Sequence, residues 1–245
     1  MARRRFFVDE VRNGQAEIEG DDAHHLTRVL RVEAGQMFEI TDNSRVWLAE
    51  VDVARKNLVR FAVVHEIDRG PELPDTVLYM ALIKFERFEW AVEKATELGV
   101  TRIVPVEASR SERGLEGGAK KRVERWRKLA REASEQSRRL RAPDVSDAIR
   151  FRDLVSVGSG VRVWLDEQAG APPLADVLSA AGKEEIGLAI GPEGGWADPE
   201  REQFAAAGWK GSSLGPLVLR AETAACAALA VVVQARIQSN QGDAG

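Results

Sequence analysis

The sequence feature that most constrains the fold is a change in the spacing of apolar residues near residue 75. Before that point, turn signals separate five short alternating segments that predict strands at 6–8, 15–18, 37–40, 46–51 and 58–64. One helix is predicted at Ala23–Leu30, with Asp21 or Asp22 as its N-cap. Several short strands around one helix predict a small β-barrel domain over residues 1–70, and the prolines of Arg69–Pro74 predict a linker after it.

Beyond the linker, apolar strand segments alternate with longer helical segments. Strands are predicted at Val77–Ile83, Ile103–Val106, Val161–Leu165, Ile186–Ile190 and Leu214–Leu219. Helices are predicted up to Leu98, at Lys120–Leu140, Leu174–Ala181 and Asp198–Ala207, and from Glu222 onward. Continuous apolar strands joined by helices predict an α/β domain over residues 75–245, with a parallel sheet covered on both faces.

Composition excludes several classes of protein. The single cysteine, Cys226, lies in an apolar small-residue helix, which predicts an inert thiol and a reducing, cytoplasmic location. One Cys and three His are too few for a Cys/His metal site. The longest apolar run, Ala224–Val233, is far shorter than the roughly 18 residues of a membrane span. The charged N-terminus is not followed by an apolar stretch, so no signal peptide is expected.

Charge is unevenly distributed along the chain. Lys120–Arg141 carries ten basic and three acidic residues, a local charge of +7 on a chain whose net charge is −4. A concentrated basic element on an acidic protein indicates a side that faces a polyanion. A solvated helix face is the alternative interpretation.

A glycine-rich loop, Gly191–Trp196, follows one predicted strand and precedes a helix with Asp198 as its expected N-cap. Glycines at the carboxyl end of a strand let a ligand approach the backbone. The loop matches neither the dinucleotide fingerprint nor a P-loop, so the sequence lacks the main signal for an NAD-binding or ATP-binding site. A tight turn without a ligand is the alternative.

A second loop, Leu214–Ala224, contains Gly215-Pro216 and then Arg220, Glu222 and Thr223 at a strand-to-helix junction. These polar side chains are expected at the carboxyl edge of the sheet, where they can contact a ligand. The alternative is structural: Thr223 or Glu222 caps the helix and Arg220 pairs with Glu222.

Together, the two loops resemble the signature of the RsmE family, the 16S ribosomal RNA uridine-N3 methyltransferases of the SPOUT superfamily. The resemblance covers nearly the whole chain and includes Arg4–Val8, His25–Arg31, Lys94–Val100, Ser109–Ser111 and Glu135–Ser137. It departs from the family at Phe85, where a small residue, often glycine, is expected after Lys84.

The resemblance implies a PUA-like β-barrel followed by a SPOUT-type domain with a C-terminal trefoil knot, assembled as a homodimer. S-adenosylmethionine would transfer its methyl group to uridine N3. Its expected contacts are Leu165, Gly191, Gly194, Gly195, Leu214, Leu217, Leu219 and Thr223. We expect Arg220 to stabilise negative charge on the uracil oxygens and Glu222 or Glu193 to accept the N3 proton.

The expected partner is 16S ribosomal RNA in the small ribosomal subunit, with no membrane and no metal. Its candidate contacts are the basic or stacking side chains of Arg3, Arg4, Arg5, His24, His25, Arg28, Arg31, Lys84, Arg87, Arg110, Arg138 and Arg139. The two histidines also fit surface or capping roles. A target base within folded RNA would have to be splayed out to reach the methyl group.

Two other functions remain open at this point. Another SPOUT enzyme would methylate a ribose 2′-oxygen or a transfer RNA base, which the methylated nucleoside would reveal. A non-catalytic RNA-binding or assembly factor is disfavoured by Arg220, Glu222 and Thr223 beside the glycine loop. A nucleotide-dependent oxidoreductase fails because no dinucleotide fingerprint follows Val77–Ile83.

Overall fold

The structure is a computed structural model that describes residues 4–68, 74–158, 160–167, 170–179 and 181–242, with side chains as far as residue 239. The chain divides into two compact units. The first contains Met1–Pro71 and Ser134–Ala142, and the second contains Glu72–Ala133 and Pro143–Gly245. Most of the predicted linker lies outside the described residues.

The first unit is built on a five-stranded sheet. Its strands are β1 (Arg5–Phe7), β2 (Gln15–Glu19), β3 (Met37–Thr41), β4 (Val46–Arg55) and β5 (Leu58–Glu66). They are ordered β1-β3-β4-β5-β2, with β1 parallel to β3 and the other pairs antiparallel. Phe6, Ile40 and Phe61 lie at the centre of its core. Register shifts in β4 increase the local twist of the sheet.

The helix of this unit, α1 (Gly20–Arg28), begins three residues earlier than predicted. Its N-cap is Glu19, so the expectation of Asp21 or Asp22 was wrong. Both aspartates lie in the first turn instead, where their charges face the positive end of the helix dipole. Ala23 and Leu26 are the buried residues of the helix.

A buried ion cluster also stabilises the first unit. Arg5 donates to Glu39 Oε2 from Nη2 at 2.7 Å and from Nε at 3.1 Å, and both side chains are almost fully buried. Arg138 pairs with the other carboxylate oxygen, Oε1, and its carbonyl accepts from Arg5. Burial alone would raise the pKa of Glu39, but hydrogen bonds from Arg138 and Arg5 lower that pKa below 4.5. Glu39 therefore stays ionised and compensates two cations.

The second unit contains a seven-stranded, wholly parallel sheet. The strands are β6 (Thr76–Ala81), β7 (Arg102–Glu107), β8 (Asp144–Val145), β9 (Ile149–Arg150), β10 (Val161–Leu165), β11 (Ile186–Ile190) and β12 (Lys210–Ser212). Six of them are ordered β12-β10-β11-β6-β7-β8, and β9 also pairs with β7. The predicted parallel sheet is confirmed.

Seven helices accompany this sheet in the described part of the chain. They are α2 (Phe85–Glu97), α3 (Leu115–Ala119), α4 (Val123–Gln136), α5 (Phe151–Val155), α6 (Leu174–Leu178), α7 (Asp198–Ala206) and α8 (Ala221–Gly242). Alternation along each strand divides the core between the two faces of the sheet. In β6, Leu78 and Met80 pack in the cluster that includes α2 and α8, whereas Val77 and Tyr79 pack with α5 and α7.

Three sequence predictions about this unit were wrong. Residues 214–220 form an irregular loop rather than a strand, and the last strand is β12, whose polar sequence gives no strand signal. The basic helix is shorter than predicted, because a turn at residues 120–122 separates α3 from α4 and Arg138 adopts a positive φ of 58° after α4 ends. The N-cap of α7 is Ala197 rather than Asp198, and its N–H donates to Glu200 Oε2 at 2.8 Å.

The apolar helix α8 is partly buried, as its composition predicts. Ala225, Ala228, Leu229 and Val232 are in the core, and the Cys226 thiol is half-buried. Burial raises the pKa of Cys226, so the thiol stays protonated and unreactive at neutral pH. Among the described residues, none of the helices is both long and apolar enough to cross a membrane.

Candidate active site

A pocket lies at the carboxyl ends of β10, β11 and β12. Three loops form its wall, one after each of these strands. Its lining residues are Leu165, Asp166, Glu167, Ile190, Gly191, Pro192, Glu193, Gly195, Trp196, Ser213, Leu214, Gly215, Leu217, Val218, Leu219, Ala221 and Ala224. The position of this pocket, at the carboxyl ends of parallel strands, is that of a small-molecule site in an α/β protein.

Trp196 anchors the glycine loop to the core of the second unit. Its ring is 1% exposed and makes an edge-to-face contact with Phe204, with ring centroids 5.0 Å apart. Its Nε1 donates to the carbonyl of Leu165 at 3.1 Å and so joins two walls of the pocket. A Cβ at Gly191 would lie 3.2 Å from this nitrogen, which leaves no room for a side chain without a shift of the indole.

Two further polar contacts hold the glycine loop in place. Arg110 Nη1 donates to the carbonyl of Gly194 at 2.9 Å. The buried Glu200 accepts from the backbone N–H of Ser109 with one oxygen and from that of Ala197 with the other, both at 2.8 Å. The segment after β7 and the loop after β11 are therefore fixed together, so the pocket wall is largely preorganised.

Six of the eight residues predicted to contact the cofactor line this pocket, namely Leu165, Gly191, Gly195, Leu214, Leu217 and Leu219. Gly194 faces Arg110 instead, and Thr223 is exposed in the first turn of α8. Sequence reasoning missed Asp166, Glu167 and Ser213, which follow the strands β10 and β12 directly. The position of Asp166 and Glu167 after a correctly predicted strand was the available signal.

The irregular loop after β12 carries exposed apolar side chains. Leu217 and Val218 are 78% and 77% exposed, yet both line the pocket. Gly215, with a φ of 122°, and Pro216 interrupt any regular pairing in this segment. The loop therefore offers apolar surface for a ligand to cover.

Arg87 lies beside two candidate acids at the edge of the pocket. Its Nη1 forms an ion pair with Glu193 Oε1, and its Nε is 3.9 Å from Glu222 Oε1. Glu222 is 8% exposed, and its second oxygen, Oε2, has no hydrogen-bond partner among the described residues. Sequence reasoning had assigned Arg87 to phosphate contacts, and its position between two carboxylates was not anticipated.

Arg220 differs from Arg87 in its surroundings. Its side chain is exposed, and within the described part of the chain it makes no hydrogen bond or ion pair. Its neighbours Leu219 and Ala221 both line the pocket. The Arg220–Glu222 pair of the alternative structural interpretation is absent from the described residues, so the Arg220 guanidinium is available to a ligand.

The structure separates the predicted RNA contacts into three groups. His25, Arg28, Arg31 and Lys84 are exposed, and His24 is half-buried. The predicted RNA contact of Arg5 is corrected, because the side chain is buried in a pair with Glu39 and is kept away from phosphates. Four other arginines have partners within the protein. Arg4 pairs with Glu135, and Arg138 pairs with Glu39. Arg110 binds the glycine loop, and Arg139 also interacts within the protein. Arg3 lies outside the described residues.

Gly195 provides a direct test of the pocket. Its φ of +65° strains any other residue, and a Cβ would lie 3.0 Å from Glu167 Oε1, another pocket residue. Gly195→Ala is expected to weaken ligand binding in this pocket by about tenfold, because a strain of about 1–2 kcal/mol moves the loop. For S-adenosylmethionine, isothermal titration calorimetry measures the change.

The matched control is Gly99→Ala, at the turn after α2. Gly99 has a φ of +90° and an open environment, and it precedes β7 at the opposite edge of the sheet. It should lose similar stability and keep full affinity. Equal affinities in both variants would contradict the assignment of the glycine loop to the binding site.

The whole chain also has recognisable relatives. Residues 71–233 match the family described as RNA methyltransferase domain, and residues 18–64 match the RNA methyltransferase PUA domain. The ribosomal RNA small subunit methyltransferase E of Mycobacterium bovis is 34% identical over 238 residues, covering 93% of this chain and 90% of the relative. The protein of the same name from Bacillus subtilis is 30% identical over 244 residues, covering 93% and 95%.

A solved structure shares the fold across nearly the full length. The ribosomal RNA small subunit methyltransferase E of Neisseria gonorrhoeae, crystallised with S-adenosyl methionine, superposes with a TM-score of 0.85. It is 28% identical to this chain, and the match covers 95% of this chain and 98% of that one.

Proposed function

The chain belongs to the RNA methyltransferase family typified by ribosomal RNA small subunit methyltransferase E, and we propose that it methylates N3 of a uridine in 16S ribosomal RNA. S-adenosylmethionine is the methyl donor, as in the relative crystallised with it. The single observation that carries this proposal is that both signature loops form one pocket, with Arg220 and the Arg87–Glu193–Glu222 group beside it.

The pocket residues fit S-adenosylmethionine in chemistry. Leu165, Ile190 and Leu214 offer apolar surface for a purine, and Glu167 supplies a carboxylate for a hydroxyl or ammonium group. The glycines let the ligand approach the backbone closely. When bound, the donor supplies a methyl group on a positively charged sulfur.

The chain's own residues would activate the uracil. Its N3 is a poor nucleophile while protonated, so a base has to take the proton. Glu222 and Glu193 are the candidate bases. Arg220, exposed between two pocket residues, would stabilise the negative charge that develops on the uracil oxygens.

The RNA contacts that we propose are fewer than the predicted ones. On the first unit they are the exposed residues His25, Arg28 and Arg31, and on the second unit Lys84 is a separate candidate contact. Arg28 and Arg31 would bind phosphates, and His25 would stack on or hydrogen-bond a nucleotide. The PUA family match supports an RNA-binding role for the first unit.

We also propose that the protein is a homodimer through α2 and α8, which pack against each other. Trp90 on α2 is 45% exposed, and Ala230 and Ile237 are exposed on α8. Apolar side chains at the surface of two adjacent helices are typical of an interface.

The trefoil knot and the cytoplasmic location implied by the resemblance stay predictions.

Ala230→Glu is expected to weaken the dimer by at least tenfold, because it places a charge in an apolar interface. Sedimentation velocity over a range of micromolar concentrations measures the shift to monomer. Gln234→Glu adds the same charge one turn further along α8 at a polar position, and should have a smaller effect. A wild-type chain that is monomeric throughout that range would contradict the proposal.

The function is tested with methyl-labelled S-adenosylmethionine and purified RNA substrates. Small ribosomal subunits without the modification, large subunits and transfer RNA are incubated in parallel. Label in small-subunit RNA alone supports the proposal, and label in transfer RNA favours a different SPOUT enzyme. A chain that binds no S-adenosylmethionine and transfers no label would be a non-catalytic RNA-binding factor.

A further inference from the structure

Arg87 connects two carboxylates that are far apart in the sequence. Glu193 belongs to the glycine loop and Glu222 to the first turn of α8, and Arg87 approaches both from the first turn of α2. One guanidinium therefore links the pocket wall after β11 to the helix after the second signature loop. The inference drawn from this arrangement rests on the proposed uridine methylation.

The two acids are not equivalent. Glu193 is about half-exposed, and its ion pair with Arg87 is in direct contact. Glu222 has a side chain only 11% exposed, and its nearest approach to Arg87, at 3.9 Å, is too long for a hydrogen bond. Its Oε2 is buried without a partner among the described residues. Both acids keep one oxygen without a hydrogen-bond partner among the described residues, but only that of Glu222 is buried, so it gains most from a proton donor.

The start of α2 is held firmly, which fixes Arg87. The ring centroids of Phe85 and Trp126 lie 6.1 Å apart. The guanidinium carbon of Arg122 lies 4.4 Å from the centroid of the Phe85 ring. A Cβ on Gly118 would come within 2.7 Å of the Phe85 ring, so Gly118 leaves space for it. The residue that departs from the family pattern is therefore an anchor for the helix turn that carries Arg87.

We propose that Arg87 is a positioning residue for the reaction and that Glu222 is the base that it positions. Uracil N3 forms its bond to the methyl carbon as the bond from that carbon to sulfur breaks, and the electron pair of that bond stays on sulfur. The N3 proton passes to Glu222 Oε2, and Arg87 orients the Glu222 carboxylate from the side of its other oxygen, Oε1.

Four variants of the full-length protein test this assignment: Glu222→Gln, Glu193→Gln, Arg87→Met and Arg87→Lys. Single-turnover rates and steady-state kcat and KM are measured on small subunits across a pH range, with S-adenosylmethionine affinity measured by calorimetry. Glu222→Gln should lower kcat by about 100-fold or more, and Glu193→Gln by less than about tenfold. Both should keep KM for the subunits within about threefold.

Arg87 is distinguished from a purely structural residue by rescue with lysine. Arg87→Met should lower kcat by about 30-fold, because Glu222 loses the nearby cation that orients it. Arg87→Lys should restore kcat to within about fivefold of wild type, because it keeps the charge. S-adenosylmethionine affinity should stay within about threefold in all four variants.

Two results would overturn the inference while leaving the proposed function intact. The first is a larger loss for Glu193→Gln than for Glu222→Gln, which would make Glu193 the base. The second is a loss in Arg87→Met that Arg87→Lys does not restore, which would make Arg87 structural. A wild-type enzyme that forms no N3-methyluridine would instead overturn the proposed function itself.

Discussion

Replacing Arg220 with alanine is expected to lower the rate of methyl transfer by about 10²–10³-fold, equivalent to about 2.7–4 kcal/mol. The guanidinium is exposed, lacks a partner in the described residues and stands between two pocket residues, so its charge is available to the uracil oxygens. The loss should fall on kcat, because negative charge on these oxygens develops only as N3 loses its proton.

The control for this variant is Arg102→Ala. Arg102 is also an exposed arginine, but it begins β7 at the opposite edge of the sheet, 3.9 Å from Asp144. Its removal should change kcat by less than about twofold. Arg220→Lys should retain part of the rate, since it keeps the charge without the planar fork. An Arg220→Ala enzyme with wild-type kcat would remove Arg220 from the catalytic site.

Replacing Glu39 with alanine is expected to destabilise the first unit by about 3–5 kcal/mol. The substitution leaves the Arg5 guanidinium buried without its carboxylate, and Arg138 loses the same partner. Hydrogen exchange of the β3 and β4 amides, followed by mass spectrometry on the full chain, reports the stability of this unit separately from the other. Glu17→Ala removes the half-exposed partner of Arg60 from the same sheet and should cost at most about 1 kcal/mol.

Lowering the pH should also weaken the cluster of Glu39 with Arg5 and Arg138. Since the pKa of Glu39 is lowered below 4.5 in the folded chain, its stabilisation is complete above that pH and is lost as the pH falls through the lowered pKa. Wild type should therefore lose protection of β3 below about pH 4.5, and the Glu39→Ala variant should show a smaller change over that interval. Equal protection in both proteins at pH 7 would show that the cluster contributes no stability.

The regular elements of the second unit could be predicted where apolar pattern and burial agree. Val161–Leu165 and Ile186–Ile190 have the predicted bounds, because both are mainly apolar segments in the interior of a parallel sheet. The glycine loop between β11 and α7 was also placed correctly. Its glycines, proline and strand-to-helix position are local signals that one sequence carries by itself.

The apolar pattern predicted the wrong structure where apolar residues line a pocket. Leu214–Leu219 has the composition of a buried strand, yet Leu217, Val218 and Leu219 remain exposed in a loop that lines the pocket. The true strand, β12, pairs with β10 through the backbone of Lys210–Ser212, and its side chains carry no apolar pattern. Strand propensity therefore described the wrong segment.

Charge pairing was beyond prediction for a different reason. Arg5 meets Glu39 across 34 residues, and Arg87 meets Glu193 and Glu222 across more than 100. From the sequence alone, basic residues near a terminus or in a loop are interpreted as phosphate contacts. Only the folded structure shows which of them lie beside a carboxylate. Only the assembled sheet identifies which of the predicted RNA contacts, such as Arg28 and Lys84, remain exposed.

The identity of the methylated nucleoside tests the central claim most directly. Small ribosomal subunits that lack the modification would be incubated with the purified chain and methyl-labelled S-adenosylmethionine, and the RNA digested and analysed by liquid chromatography and mass spectrometry. We predict that the label appears as N3-methyluridine from 16S ribosomal RNA. Label in a ribose-methylated nucleoside or in another base, with none in N3-methyluridine, would contradict the account.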